Sequence, residues 1–136
     1  SLTGLKNMDL VGSLNLKEIP DLSMATNLET LNLLGCFSLV ELPSTIQYLN
    51  KLNELNMSRC EKLETLPTGI NLKSLNCLKL NGCSRLKLFP NISSNISRLD
   101  ISMTTIEEIP PNLRLENLVE YSMQGMRSDK IWERVQ

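Results

Sequence analysis

Between residues 28 and 43 the chain reads LETLNLLGCFSLVELP, and residues 52–67 and 75–90 repeat it as LNELNMSRCEKLETLP and LNCLKLNGCSRLKLFP. Leucine or methionine holds the first, fourth and sixth places, cysteine the ninth and leucine the twelfth, and an apolar residue followed by proline closes each copy. The pattern continues outward in both directions. Upstream, Leu5, Met8, Leu10, Ser13, Leu16, Ile19 and Pro20 fill the same places. Downstream they hold Ile96, Leu99, Ile101, Thr104, Ile106, Ile109 and Pro110, with one residue fewer between Ile101 and Ile106. A sixth copy starts at Leu118 and is the weakest, with Tyr121, Met123, Met126 and Trp132 in the columns and Glu133 where proline is expected. The starts at Leu5, Leu28, Leu52, Leu75, Ile96 and Leu118 are 23, 24, 23, 21 and 22 residues apart. Self-similarity at a step of this size marks a solenoid in which each copy is one coil.

The period of two at the centre of each copy predicts a short strand with one buried face, and stacking the coils lines these strands into a parallel sheet. Strands spaced by about 4.8 Å make a six-coil sheet about 25 Å wide, and each coil buries its leucines mainly against its neighbours. The proline after the fifteenth place fixes φ and discourages a regular strand, so the returns are predicted as 3-10 or irregular. The fold class is therefore an α/β solenoid. It is a leucine-rich-repeat arc with a parallel sheet of about six short strands on the concave face and irregular or 3-10 segments on the convex face. Residues 1–136 are expected to form a single array cut from a longer protein, since Ser1 leads almost directly into the first copy.

Function then has to lie on a surface. The positions alternating with the core point outward on the strand side, and they are the candidate partner-binding residues: Asn7, Asp9 and Val11; Thr30, Asn32 and Leu34; Glu54, Asn56 and Ser58; Cys77, Lys79 and Asn81; Arg98, Asp100 and Ser102; Glu120, Ser122 and Gln124. These eighteen are fewer than the roughly 20–30 a side of a standard protein interface, so the arc supplies part of a binding surface.

Composition narrows the function classes. A net charge of -1 with no block of like charge gives no long-range attraction for nucleic acid or an anionic membrane. No stretch approaches the roughly 18 uninterrupted apolar residues of a spanning helix. The chain has no histidine, which removes Ser-His and Cys-His pairs, and it lacks a phosphate-cradling Gly-Lys loop. Glu107 and Glu108 are loop neighbours placed like ordinary solvated acids. No catalytic, cofactor or metal site is expected.

Cys36, Cys60 and Cys83 share one column with Ser13, Thr104 and Met126, and a metal ligand would not be replaced by such residues. They are expected to be small buried hydrophobes whose thiols donate weakly to turn carbonyls. Side chains pointing the same way into a core have poor disulfide geometry. Cys77 sits instead at an outward strand position. Asn56, Asn91 and Asn95 each head a glycosylation triplet, but four unpaired cysteines favour a reducing compartment where such triplets are not read. Lys73, Lys79, Arg85 and Lys87, with Glu61 and Glu64 in the neighbouring coil, are expected to form a solvated mixed-charge face, and Trp132 to fill the core column of Ile19, Leu42, Leu66, Phe89 and Ile109.

Beyond the bare template, particular phrases resemble one family, the leucine-rich-repeat region of plant TIR-NBS-LRR disease resistance proteins. They are Asn15-Leu16-Lys17-Glu18-Ile19-Pro20-Asp21-Leu22-Ser23, Phe89-Pro90-Asn91-Ile92-Ser93, Ile106-Glu107-Glu108-Ile109-Pro110 and Lys130-Ile131-Trp132-Glu133-Arg134-Val135-Gln136. The last string departs from the family by standing at the end of the chain, where relatives use it as the lead-in to an array. The resemblance implies a protein partner, either a pathogen effector or a guarded host protein, and restraint of the parent's nucleotide-binding domain. It implies a cytoplasmic location with the nucleus as the alternative. Any NAD-cleaving or nucleotide-binding activity of such a parent would lie outside these residues. The competing assignment is the substrate-recognition repeat domain of a microbial LRR ubiquitin ligase, against which the 23-residue spacing counts.

Overall fold

The computed structural model describes residues 2–108, 110, 111 and 113–122. Six three-residue strands run through it: β1 Asn7–Asp9, β2 Thr30–Asn32, β3 Glu54–Asn56, β4 Cys77–Lys79, β5 Arg98–Asp100 and β6 Glu120–Ser122. They form one parallel sheet in sequence order. Asn7 pairs with Thr30, Thr30 with Glu54, Glu54 with Cys77, Cys77 with Arg98 and Arg98 with Glu120, so each strand meets the next at the interval between template starts. The solenoid expectation holds, with the strands on the concave side.

The pleat explains which residues make the core. Leu31, Leu55, Leu78 and Leu99, central in their strands, are buried, while Met8 in the first strand is half-buried. Leu33, Met57, Leu80 and Ile101 extend the same inward row, and their coils stay joined through Leu33 N–H to Asn56 O (2.7 Å), Met57 N–H to Lys79 O (2.8 Å) and Leu80 N–H to Asp100 O (2.7 Å). Beyond each of the first five strands the backbone turns through a left-handed residue: Gly12 (φ 71°), Gly35 (73°), Arg59 (63°), Gly82 (78°) and Met103 (58°). Glycine tolerates this region because it has no Cβ; Arg59 and Met103 do not share that freedom.

The returns follow the prolines. Pro43 (φ -69°, ψ 151°) and Pro67 (φ -66°, ψ 152°) enter 3-10 turns at Ser44–Tyr48 and Thr68–Ile70. Ile46, Leu49, Ile70 and Leu72 face inward from these turns and close the core from the convex side. The returns after Pro20 and Pro90, the latter the shortest, carry turns without a 3-10 segment. The two 3-10 turns pack closely: a Cβ on Gly69 would stand 2.5 Å from Gln47 Cβ.

The cysteine column is as expected. Cys36, Cys60 and Cys83 are free and buried, and each thiol donates to a carbonyl of the preceding coil: Cys36 to Leu10 O (3.1 Å), Cys60 to Leu33 O (3.3 Å), Cys83 to Met57 O (3.1 Å). Burial is the main cause that pushes Cys60 and Cys83 up to about 12. Polar side chains before the strands stitch the coils the same way. Asn27 Nδ2 donates to Thr3 O (2.6 Å), Ser74 Oγ to Leu52 O (2.7 Å), Asn95 Nδ2 to Lys73 O (3.1 Å) and Asn117 Nδ2 to Ser94 O (3.1 Å). The sixth-coil expectations for Met123, Met126, Trp132 and Glu133, the closing string 130–136 and the core place of Ile109 lie outside the described residues, as does the side chain of Tyr121.

Candidate functional site

The strand face carries three outward columns, and the structure sorts their members by how far each is already engaged. In the first column Asn7, Thr30, Glu54, Cys77, Arg98 and Glu120 lie in register across all six strands. Thr30 Oγ1 donates to Asn7 Oδ1 (2.6 Å), and Arg98 Nε donates to Glu120 Oε2 (3.1 Å). Lys79 Nζ lies 4.0 Å from Glu54 Oε1, with both side chains about a third exposed. Exposed ion pairs of this kind are screened and contribute little to stability, so these charges remain open to exchange partners.

Cys77 is a correction. Alternation places it on the strand side as expected, but it is only 2% exposed, and its thiol lies 3.5 Å from Glu54 Oε1. Burial and, after it, the Glu54 carboxylate push its pKa up, which opposes thiolate formation. Ser58 (4% exposed) and Ser102 (7%) are corrected in the same way. Their hydroxyls turn back onto the strand ends, Ser58 Oγ to Asn56 Oδ1 (2.6 Å) and Ser102 Oγ to Asp100 Oδ1 (2.5 Å).

The second outward column, the last residue of each strand, has a local duty that alternation does not reveal. Asp9 Oδ1 accepts from Val11 N–H (3.0 Å), Asn32 Oδ1 from Leu34 N–H (3.1 Å), Asn56 Oδ1 from Ser58 N–H (3.0 Å) and Asp100 Oδ1 from Ser102 N–H (3.0 Å). These are Asx turns, in which the side chain satisfies a backbone donor two residues on. The sequence signal was available as Asp or Asn at the fifth template place in four of the first five copies. Lys79 is the exception.

A shallow cavity of about 340 Å³ opens on this face over coils two to six, lined among others by Asn56, Cys77, Lys79, Asn81, Arg98 and Asp100. A second, of about 280 Å³, lies over coils one to four beside Asn7, Thr30, Asn32 and Glu54. Val11 is exposed and Leu34 half-buried at the apolar end of the face; Ser122 is half-buried, and Gln124 lies outside the described residues. The basic residues do not form one cluster. Lys79 is on the strand face, whereas Lys73 follows a return turn and Arg85 and Lys87 follow β4 in the loop, all three exposed. No group of three or more metal-ligating side chains occurs among the described residues, and no helix among them is long and apolar enough to cross a membrane. Of the triplet asparagines, Asn91 and Asn95 already donate their Nδ2 to the preceding coil, at 3.1 Å to Thr68 O and Lys73 O.

No family model matches the chain. It is 70% identical over 120 residues to the disease resistance protein RPS6 of Arabidopsis thaliana, covering 88% of this chain and 10% of that protein. It is 47% identical over 130 residues to disease resistance protein RML1A of the same plant, covering 95% of this chain and 13% of that protein. The chain thus spans about a tenth of the length of the relatives it matches. Among solved structures it is similar to an internalin of Listeria monocytogenes, with 18% identity, a TM-score of 0.43 and coverage of 93% of this chain and 50% of that one. The template, the stacked coils and the identity over nearly the whole chain agree: the chain is a leucine-rich-repeat stretch similar to that of plant TIR-NBS-LRR disease resistance proteins.

Proposed function

We propose that the chain is a non-enzymatic protein-recognition arc of a plant immune receptor acting inside the cell, cytoplasmic with the nucleus as a second location. Its strand face senses a pathogen effector or a guarded host protein and helps to restrain the nucleotide-binding switch of the parent. Residues 1–136 act as one array within that longer protein. The observation that carries this reading is the division of labour on the strand face. Core leucines and Asx turns hold the sheet, while Asn7, Thr30, Glu54, Lys79, Asn81, Arg98 and Glu120 stand outside both tasks. Side chains so placed can change identity without disturbing the stack, which suits a surface that must discriminate among partners.

The test is to replace Asn7, Thr30, Glu54, Lys79, Arg98 and Glu120 together by serine in an intact receptor, scoring response, restraint and thermal midpoint separately. Loss of response or restraint at an unchanged midpoint is expected. Retention of both by a folded variant overturns the proposal.

A further inference from the structure

Four coils end their strand with the same bond. The side-chain oxygen of the third strand residue takes the backbone N–H two places on, at 3.0–3.1 Å, in the pairs Asp9–Val11, Asn32–Leu34, Asn56–Ser58 and Asp100–Ser102. The fourth coil breaks the series. Position 79 is lysine, which has donors and no acceptor, so the equivalent Asn81 N–H receives no oxygen from its own coil. Among the described residues Asn81 N–H donates to no backbone carbonyl either, and the Asn81 side-chain amide makes no hydrogen bond there. Asn81 is half-buried in the wall of the 340 Å³ cavity, with Lys79 and Arg98 on the same wall.

We infer that this place is a carboxylate subsite, filled by an aspartate or glutamate side chain of the protein partner, whose oxygen takes on Asn81 N–H the part that Asp100 Oδ1 takes on Ser102 N–H. The inference rests on the recognition reading above. The lining residues Asn81 and Lys79 bring three donors to this cavity: the Asn81 N–H, the Asn81 amide and the Lys79 ammonium, whose only ion pair among the described residues is the 4.0 Å contact with Glu54. A bond to an ionised acceptor is about twice as strong as a neutral one, and the cation opposite supplies the charge match. Asp100 and Glu120 border the same cavity, and Glu54 lines the neighbouring one. Asp100 is committed to Ser102 through both its backbone N–H and its hydroxyl, while Glu120 stays in an exposed pair with Arg98, so both remain acidic groups beside the subsite. They also confine the acceptable ligand to a single carboxylate, since a polyanion would meet them.

The experiment is an amide-resolved NMR titration of the full chain with N-acetyl-aspartate N-methylamide. The Asn81 amide proton is expected to move downfield and saturate, while the amides of Val11, Leu34, Ser58 and Ser102, already bonded, stay in place. The neutral asparagine analogue should bind about tenfold more weakly. Lys79→Asn supplies the missing acceptor and removes the ammonium, and asparagine already stands at this register position in coils two and three, so the variant folds. Its Asn81 amide should begin downfield and not titrate. An Asn81 amide that moves no more than the four bonded ones overturns the inference, as does a Lys79→Asn chain that titrates like the parent. Tighter binding of N-acetyl-alanine, whose carboxylate is a chain end, overturns the side-chain assignment. The titration uses no partner protein, so its failure leaves the receptor test of recognition untouched, and failure of that test leaves the titration readable.

Discussion

Among individual residues, those in the left-handed column after each strand carry the clearest unrelieved cost. Gly12, Gly35 and Gly82 occupy it freely, but Arg59 sits at φ 63° and Met103 at φ 58°. A side chain in this region costs roughly 1–2 kcal/mol, and glycine returns about 0.5–1 kcal/mol of that through its greater freedom in the unfolded chain. The strain is the larger quantity. Met103→Gly is therefore expected to stabilise the chain by about 0.5–1 kcal/mol, read as a raised urea midpoint, and since Met103 is 59% exposed little packing is lost. A lowered midpoint would show that the local strain is absent. The glycine column was visible in the sequence at Gly12, Gly35 and Gly82, yet a template built on core residues passes over it, because a positive φ leaves no mark on hydrophobic periodicity. The cysteine column was fully legible, since substitution by Ser13 and Thr104 in other coils is itself a statement about size and polarity.

At the scale of elements, strand register was legible and coverage was not. A period of two states which side of the sheet a residue faces, and the pairing follows once the template is aligned. Whether an outward residue is then covered depends on its cross-strand neighbours, which is why Cys77 and Ser58 were expected to be open and are buried. The return segments show a similar limit. Their 3-10 character followed from Pro43 and Pro67, but the closeness of the two turns appears only in three dimensions. Gly69→Ala isolates that closeness. Its new methyl would meet Gln47 Cβ at 2.5 Å and Gln47 Cα at 3.2 Å, and backbone cannot move aside cheaply. Overpacking of this kind costs roughly 1–3 kcal/mol, against about 0.4–1 kcal/mol gained by stiffening the unfolded chain. The net expectation is a loss of about 1–2 kcal/mol by urea unfolding, smaller when measured in a Gln47→Gly background, where the 2.5 Å contact is gone. A neutral Gly69→Ala would place the turns farther apart than described.

At the scale of the whole molecule, stability is shared through the stack, and the buried thiols make part of it depend on pH. The ordinary thiol value is 9.0, and burial holds Cys60 and Cys83 near about 12. Below about pH 9 both folded and unfolded chains keep these protons, and the contribution is complete. Above it the unfolded chain ionises first, so stability falls by about 1.4 kcal/mol per thiol per pH unit until the folded value is reached. Between about pH 9 and 11 the urea midpoint should drop more steeply for the parent than for Cys60→Ala/Cys83→Ala; parallel slopes would mean that the column is solvated. The direction of the cross-coil side-chain bonds has a further consequence. Cys36, Cys60 and Cys83, with Asn27, Ser74, Asn95 and Asn117, all reach back to carbonyls made earlier in the chain. During translation each newly emerged turn of the spiral therefore arrives with the groups that complete its predecessor, and assembly can advance behind the ribosome without waiting for the carboxyl end.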